Sequence, residues 1–156
     1  MTRIHAENGR ILTGVGLILG VAGLMLVLAA VVSSPRGALA THVDPVLVEG
    51  NPTCATLSPG TNELKIDPPT EGQHSDDDGP LIVTIDIRET DDGQVFDFTS
   101  NIPVKVAFAK GGNIGGNKYA YSPAETSDTG LHAPENPSGD WANLSHITFC
   151  YDPTAP

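Results

Sequence analysis

The sequence predicts an all-β protein: a small antiparallel β-sandwich of about five to seven strands with long Pro/Gly loops, preceded by an N-terminal hydrophobic helix. Three observations predict it. Leu81, Val83, Ile85 and Ile87 alternate with Ile82, Thr84, Asp86 and Arg88, the period of a strand with one buried face. Residues 41–156 hold 11 glycines and 12 prolines, which favour turns over helices. Cys54 and Cys150 bracket the same stretch and can staple a core too small to stand alone.

The chain divides near residue 40. Arg3 and Arg10 open it, residues 11–32 carry no charge, and Ala38-Leu39-Ala40 follows. A basic start, an apolar run and a small-x-small ending are the parts of a secretory signal peptide, so residues 1–40 are expected to be removed after Ala40. The 22 apolar residues are also long enough to cross a bilayer, and a retained membrane anchor is the alternative. In either case the short basic side stays inside and residues 41–156 go outside. The expected location is extracellular or secreted, or outside and tethered through residues 11–32.

Residues 41–156 are read as one extracellular domain. They carry five Lys and Arg against 18 Asp and Glu, a net charge of −13. That surface repels nucleic acid and anionic lipid. Leu, Ile, Val and Phe number 24 in this stretch, and all eight aromatic residues lie between Phe96 and Tyr151. The interior is therefore thin. Outside the cytosol Cys54 and Cys150 are expected to form a disulfide. No CxxC and no Cys/His cluster offers a zinc or redox alternative.

Taken in order, residues 41–62 read as an extended lead-in, and Glu63–Ile66 as a short strand. The loop DPPTEGQHSDDDGP at 67–80 follows, its paired prolines barring helix and ladder alike. LIVTIDIRE at 81–89 and QVFDFTS at 94–100 form a hairpin. Placing its turn at Asp92-Gly93 sets Arg88 opposite Asp97 and Ile87 opposite Phe98. In PVKVAFA at 103–109, Val104, Val106 and Phe108 are expected to point inward. A flexible glycine loop at 110–117 leads to a short strand, KYAYS, at 118–122. Residues 122–143 read mostly as loop. The last strand is LSHITFCY at 144–151, with Ile147, Phe149 and Tyr151 on one side and His146, Thr148 and Cys150 on the other. No helix is expected after residue 40.

The candidates for chemistry are few. Gly111 and Gly116 have the spacing of a phosphate loop, but Asn117 and Lys118 stand where Lys and Ser/Thr are required. Asp76, Asp77, Asp78, Asp91 and Asp92 could supply oxygen ligands to calcium, or simply be solvated turns. Trp141, Tyr119, Tyr121 and Tyr151 could present flat faces to a sugar or a protein partner, or fill the core. Ser145 and His146 are adjacent, which on a strand points them apart. His42, His74 and His132 have no local catalytic motif, so hydrolysis is the weakest reading. No catalytic residue and no obligatory cofactor is expected.

Several segments resemble a group of exported bacterial β-rich domains: GNPTC at 50–54, KIDPP at 65–69, TSNIPV at 99–104, KGGN at 110–113, DTGLHAP at 128–134 and LSHITFCY at 144–151. The likeness covers most of residues 50–151. It implies a compact extracellular domain bracketed by its two cysteines, and it carries no established activity. Some of that group have separate anchoring tails; none is recognised after Tyr151. The expected function is non-enzymatic, structural or adhesive, at the cell surface or in the medium. A calcium- or carbohydrate-binding module is the alternative.

Overall fold

The computed structural model describes residues 42–154. The expected N-terminal helix and the cleavage point after Ala40 lie outside them. Seven strands and one single-turn helix follow in the order β1 (Val46–Glu49), α1 (Cys54–Leu57), β2 (Asn62–Ile66), β3 (Gly72–Ser75), β4 (Ile82–Thr90), β5 (Gly93–Gly111), β6 (Gly115–His132) and β7 (Leu144–Tyr151). Every pairing is antiparallel. The all-β class is as the alternation and turn content predicted.

The two longest strands organise the sheet. The first part of β5 lies between β4 and the far end of β6; its second part lies between the near end of β6 and β7. β1 continues the second half beyond β6, and β2 continues it beyond β7. β3 closes the first half beyond β4. One seven-stranded sheet is thus folded into two halves that share β5 and β6. Such corners are made where a strand bends at bulges. Here the β5–β6 register shifts between Thr99 and Val104. Side chains satisfy the backbone at the bend: Asn101 accepts from Ile82 N at 2.7 Å and donates to the Pro80 carbonyl at 2.9 Å.

The main core fills the space between the halves. Val83, Ile85, Phe96 and Phe98 come from one side, and Ala107, Ala109, Tyr119, Ile147, Phe149 and Tyr151 from the other. Phe149 touches both Phe96 and Phe98, at ring-centroid distances of 6.4 and 5.1 Å. A smaller layer of Cys54, Leu57, Val106, Phe108 and Cys150 lies apart from it. It covers the outer face of the second half under α1.

Six expectations need correction. The β4–β5 turn is Asp91-Asp92, because Thr90 pairs with Gly93, Ile87 with Phe96 and Ile85 with Phe98. The shift is two residues in register, so each side chain keeps its face. Gly93 is held there at φ 123°, where an added Cβ would lie 2.7 Å from the Trp141 carbonyl oxygen. Residues 72–75 are a strand inside the expected loop. Residues 54–57 are a helical turn, started where Thr56 N and Leu57 N both reach the Thr53 carbonyl. Val106 and Phe108 face outward although Val104 faces the core, because a register shift between Val104 and Val106 flips the alternation. Finally, β6 runs unbroken to His132 through residues expected to be loop. The glycine loop shrinks to Gly112-Asn113-Ile114. Gly116 belongs to the strand, where a larger residue would run into the Phe108 ring.

The disulfide forms as expected between Cys54 and Cys150, with Cα atoms 5.5 Å apart and a sequence separation of 96. It ties α1 to β7. A bond of this kind belongs to an oxidising, non-cytoplasmic compartment. Among the described residues no helix is long and apolar enough to cross a membrane.

Candidate functional site

The two acidic turns lie at opposite ends of β4: Asp76–Asp78 before it, and Asp91 and Asp92 after it. A nine-residue strand separates them by roughly 30 Å. Asp76 is already engaged. One carboxylate oxygen accepts the Tyr151 hydroxyl and the other accepts Asp78 N at 3.0 Å. That contact ties the β3–β4 loop to the last strand. Among the described residues no three His, Cys, Asp or Glu side chains converge as metal ligands would.

The tyrosines are interior residues. Tyr119 is fully buried; its hydroxyl donates to the His132 carbonyl at 3.0 Å and accepts His132 N at 2.9 Å. Burial pushes its pKa up to about 12. Tyr121 donates to Asp128 Oδ2 at 3.0 Å, and burial, then the neighbouring Asp128, drives its pKa well upward. Tyr151 is buried too, its pKa raised by burial and by its bond to Asp76. None of the three offers a ring face to solvent.

Trp141 is partly exposed and stacks on His132, with centroids 4.0 Å apart and planes at 12°. Its backbone N donates to the Asp92 carbonyl at 2.7 Å. The residue clasps the 133–143 connection onto the β4–β5 turn. One indole face is covered by the imidazole, which leaves less for a sugar than the sequence suggested.

The histidines are dispersed. His74 Nε2 lies 2.8 Å from the Thr70 carbonyl. His146 is buried against Phe108, and its Nε2 has no hydrogen-bond partner among the described residues. Burial lowers its pKa, and nearby Lys65 adds to the effect. Ser145 donates to the Lys110 carbonyl at 3.1 Å. His42 Nδ1 lies 3.5 Å from Asp128 Oδ1. Asp128 is 1% exposed, and Thr129 N also donates to it at 2.7 Å. Sequence reasoning missed this buried carboxylate, because Ser-Asp-Thr-Gly reads as a solvated turn. Only β6 continuing through it reveals the inward side chain.

A further surface, mostly apolar by area and bordered by hydroxyls and carboxylates, went unrecognised. Thr84 pairs with Thr99, Thr99 with Ser127, and Asp86 with Asp97. These residues, with Phe98 and Thr129, line a shallow depression of about 370 Å³ on the outer face of the first half-sheet. Asp97 is held by Arg88 Nη1 at 2.5 Å and by Gly130 N at 2.7 Å. Asp86 faces it with no ion pair of its own among the described residues. Like charges directly opposite on neighbouring strands destabilise a sheet. The signal was present in the alternation of Thr84, Asp86 and Arg88, and of Asp97 and Thr99. No family, curated protein or solved structure matches this chain.

Proposed function

We propose that residues 41–156 act outside the cytoplasm as a non-enzymatic domain with a structural or adhesive role at the cell surface or in the medium. The observation that carries this reading is the covalent closure. Cys54 and Cys150 join the first helical turn to the last strand across 96 residues, which suits a small core that must persist in an oxidising medium. The export-type N-terminal sequence and the resemblance to exported β-rich domains support it. So do the internal hydrogen bonds that engage buried Tyr119, Tyr121 and Asp128. Deleting the chain from its host and measuring cell attachment under flow tests the proposal. Attachment lost on deletion and restored by the wild-type chain is the expected result. Unchanged attachment together with an unchanged cell envelope counts against both roles.

A second reading, a carbohydrate-binding module, is favoured by one specific observation. Carboxylates and hydroxyls from three strands border a mostly apolar depression at Thr84, Asp86, Asp97, Thr99 and Ser127. Such groups suit the hydroxyls of a sugar, and an unpaired Asp86 is available to accept from them. A glycan array probed with the wild-type chain and with Asp86→Ala separates the readings. Signal abolished by the substitution supports the module; uniformly blank spots remove it. Calcium, the other ligand considered, is tested by melting the protein with calcium and with chelator. A ligand that binds only the folded state must raise the melting temperature.

A further inference from the structure

A second hollow lies where the β5–β6 turn faces the 133–143 connection. It holds about 200 Å³ and is mostly apolar. Gly111, Gly112 and Ile114 form one wall; Pro134, Pro137 and Ala142 form the other. Both walls are fixed. In the connection, Ala142 N donates to the Pro134 carbonyl at 3.0 Å, and Asn136 N to the Asp140 carbonyl at 2.7 Å. Asn136 Oδ1 accepts Ser138 N at 2.9 Å, and the two prolines lock their own φ. At the base the walls nearly touch, since a Cβ added to Gly111 would lie 2.5 Å from the Ala133 Cβ. In the turn, Gly112 takes φ 60°, which glycine adopts without strain. The glycine run that fails as a phosphate loop is thus one side of a preformed pocket.

The surroundings are acidic. Glu135 lines the pocket, and Asp140 lies in the same connection. Asp91 and Asp92 form the turn whose Asp92 carbonyl accepts Trp141 N, next to Ala142. All four carboxylates belong to exposed residues, and none has an ion pair among the described residues. Lys110 is the cation set against this wall, and its Nζ is engaged by the Gly112 carbonyl at 2.8 Å. We propose that the pocket docks a basic protein segment: one apolar side chain enters between Ile114 and Pro137, and flanking Lys or Arg residues meet Glu135, Asp140 and the Asp91-Asp92 turn.

Volume and charge both select this partner. The space takes one leucine- or phenylalanine-sized group, the kind of anchor that carries most of an interface's energy. A mostly apolar lining suits such a group better than a sugar. The net charge of −13 over residues 41–156 draws a cationic partner in and repels an acidic one. With a single anchor the binding is weak, and salt weakens it further. Such docking gives the adhesive reading its partner class and rests on that reading. Cell attachment and peptide binding are separate measurements, so either can fail alone.

The test uses the full chain, expressed with its own N-terminal segment in an oxidising compartment. Fluorescence anisotropy follows labelled pentapeptides of the form Lys-Lys-X-Lys-Lys, with Leu, Phe or Ser at X. The Leu or the Phe peptide should bind at least about tenfold more tightly than the Ser peptide, through burial of one apolar side chain. Glu-Glu-Phe-Glu-Glu should not bind. Ile114→Ser, at a position 55% exposed, should weaken the tighter peptide several-fold. Glu135→Lys should weaken it about fivefold. Asp77→Lys makes the same charge change in the acidic turn at the other end of β4 and should leave it within about twofold. Unchanged melting temperatures show that the variants are folded. No binding by either apolar peptide, or equal binding by the Ser peptide, overturns the proposal. So does equal weakening by Glu135→Lys and Asp77→Lys, which would make the attraction a property of net charge alone.

Discussion

The two halves of the folded sheet share β5 and β6 and bury their strands differently. The first half, with β3, β4 and the start of β5, faces the core on one side and mostly water on the other, with Val95 beside Arg88 a buried exception on the outer face. Its burial alternates, as Val83 and Ile85 against Thr84 and Asp86 show. The second half is covered on both faces. Ala107 and Ala109 meet the main core while Val106 and Phe108 meet the outer layer under α1. Seven of the eight residues of β7 are buried. The difference is one of cover. The first half needs only its partner; the second needs α1 as well, and a four-residue helix cannot hold itself in place. The disulfide, the Lys118 Nζ donation to the Leu57 carbonyl at 2.7 Å and the Cys54 N donation to Glu63 at 2.6 Å fasten it.

Removing the fastening gives the largest expected effect. Cys54→Ser/Cys150→Ser should lower stability by about 4–5 kcal/mol if loop-closure entropy governs, and nearer 2 kcal/mol if the unfolded chain stays compact. Urea unfolding of both proteins measures it. Amide exchange sharpens the comparison: α1 and β7 should lose protection before β4. Equal loss across both halves would mean the outer layer is no weaker than the core.

The same contrast explains what could be read from the residues. Period-two alternation is a signal only where one face meets water. LIVTIDIRE declared itself, and β7 was read correctly because its aromatic residues and its cysteine sort onto opposite faces. β5 beyond Pro103 was misread, since valine, alanine and phenylalanine on both faces conceal the bulge that flips Val106. The far part of β6 was invisible. Ser122, Pro123 and residues 125–129 have the composition of a loop, and pairing with both ends of β5 overrides it. The disulfide was legible from cysteine count and export signals. The hydroxyl and carboxylate face was spelled out in the hairpin, but whether its depression exists depends on Ser127 and Thr129, which lie in the unreadable segment.

Within the core, Tyr121→Phe tests how the halves are joined by polar contacts. It should cost about 1–3 kcal/mol, because buried Asp128 loses a donor while the cavity changes little. Thr84→Ala on the exposed face should change stability by under about 0.5 kcal/mol. Thermal melts of the two variants provide the comparison. Near-equal losses would break it.

Acid should loosen the second half specifically. His146 is buried there with a pKa held below its ordinary value by burial. As pH falls below about 6.5, the unfolded chain binds the proton first. Stability therefore drops from that pH down to the folded-state pKa, and this group adds nothing further below it. Chemical denaturation from pH 7.5 to 4.5 should show the drop in wild type and a flatter profile in His146→Leu. Identical profiles would place the acid sensitivity elsewhere.

One small effect should be a gain. Asp86 and Asp97 stand opposite each other on the solvent face of the first half, and Arg88 pairs with Asp97. Arg88 is 43% and Asp97 28% exposed, so the ion pair is screened and worth at most about 1 kcal/mol. It offsets the carboxylate repulsion only in part. Asp86→Thr removes the repulsion and inserts a good strand former beside Arg88, so stability should rise by about 0.2–1 kcal/mol. The gain should shrink in 1 M salt, where the repulsion is already screened. A loss would mean that Asp86 is held by contacts within the fold. A gain in stability with glycan binding abolished would explain why an unpaired carboxylate sits there: it is kept for a ligand at the expense of the sheet.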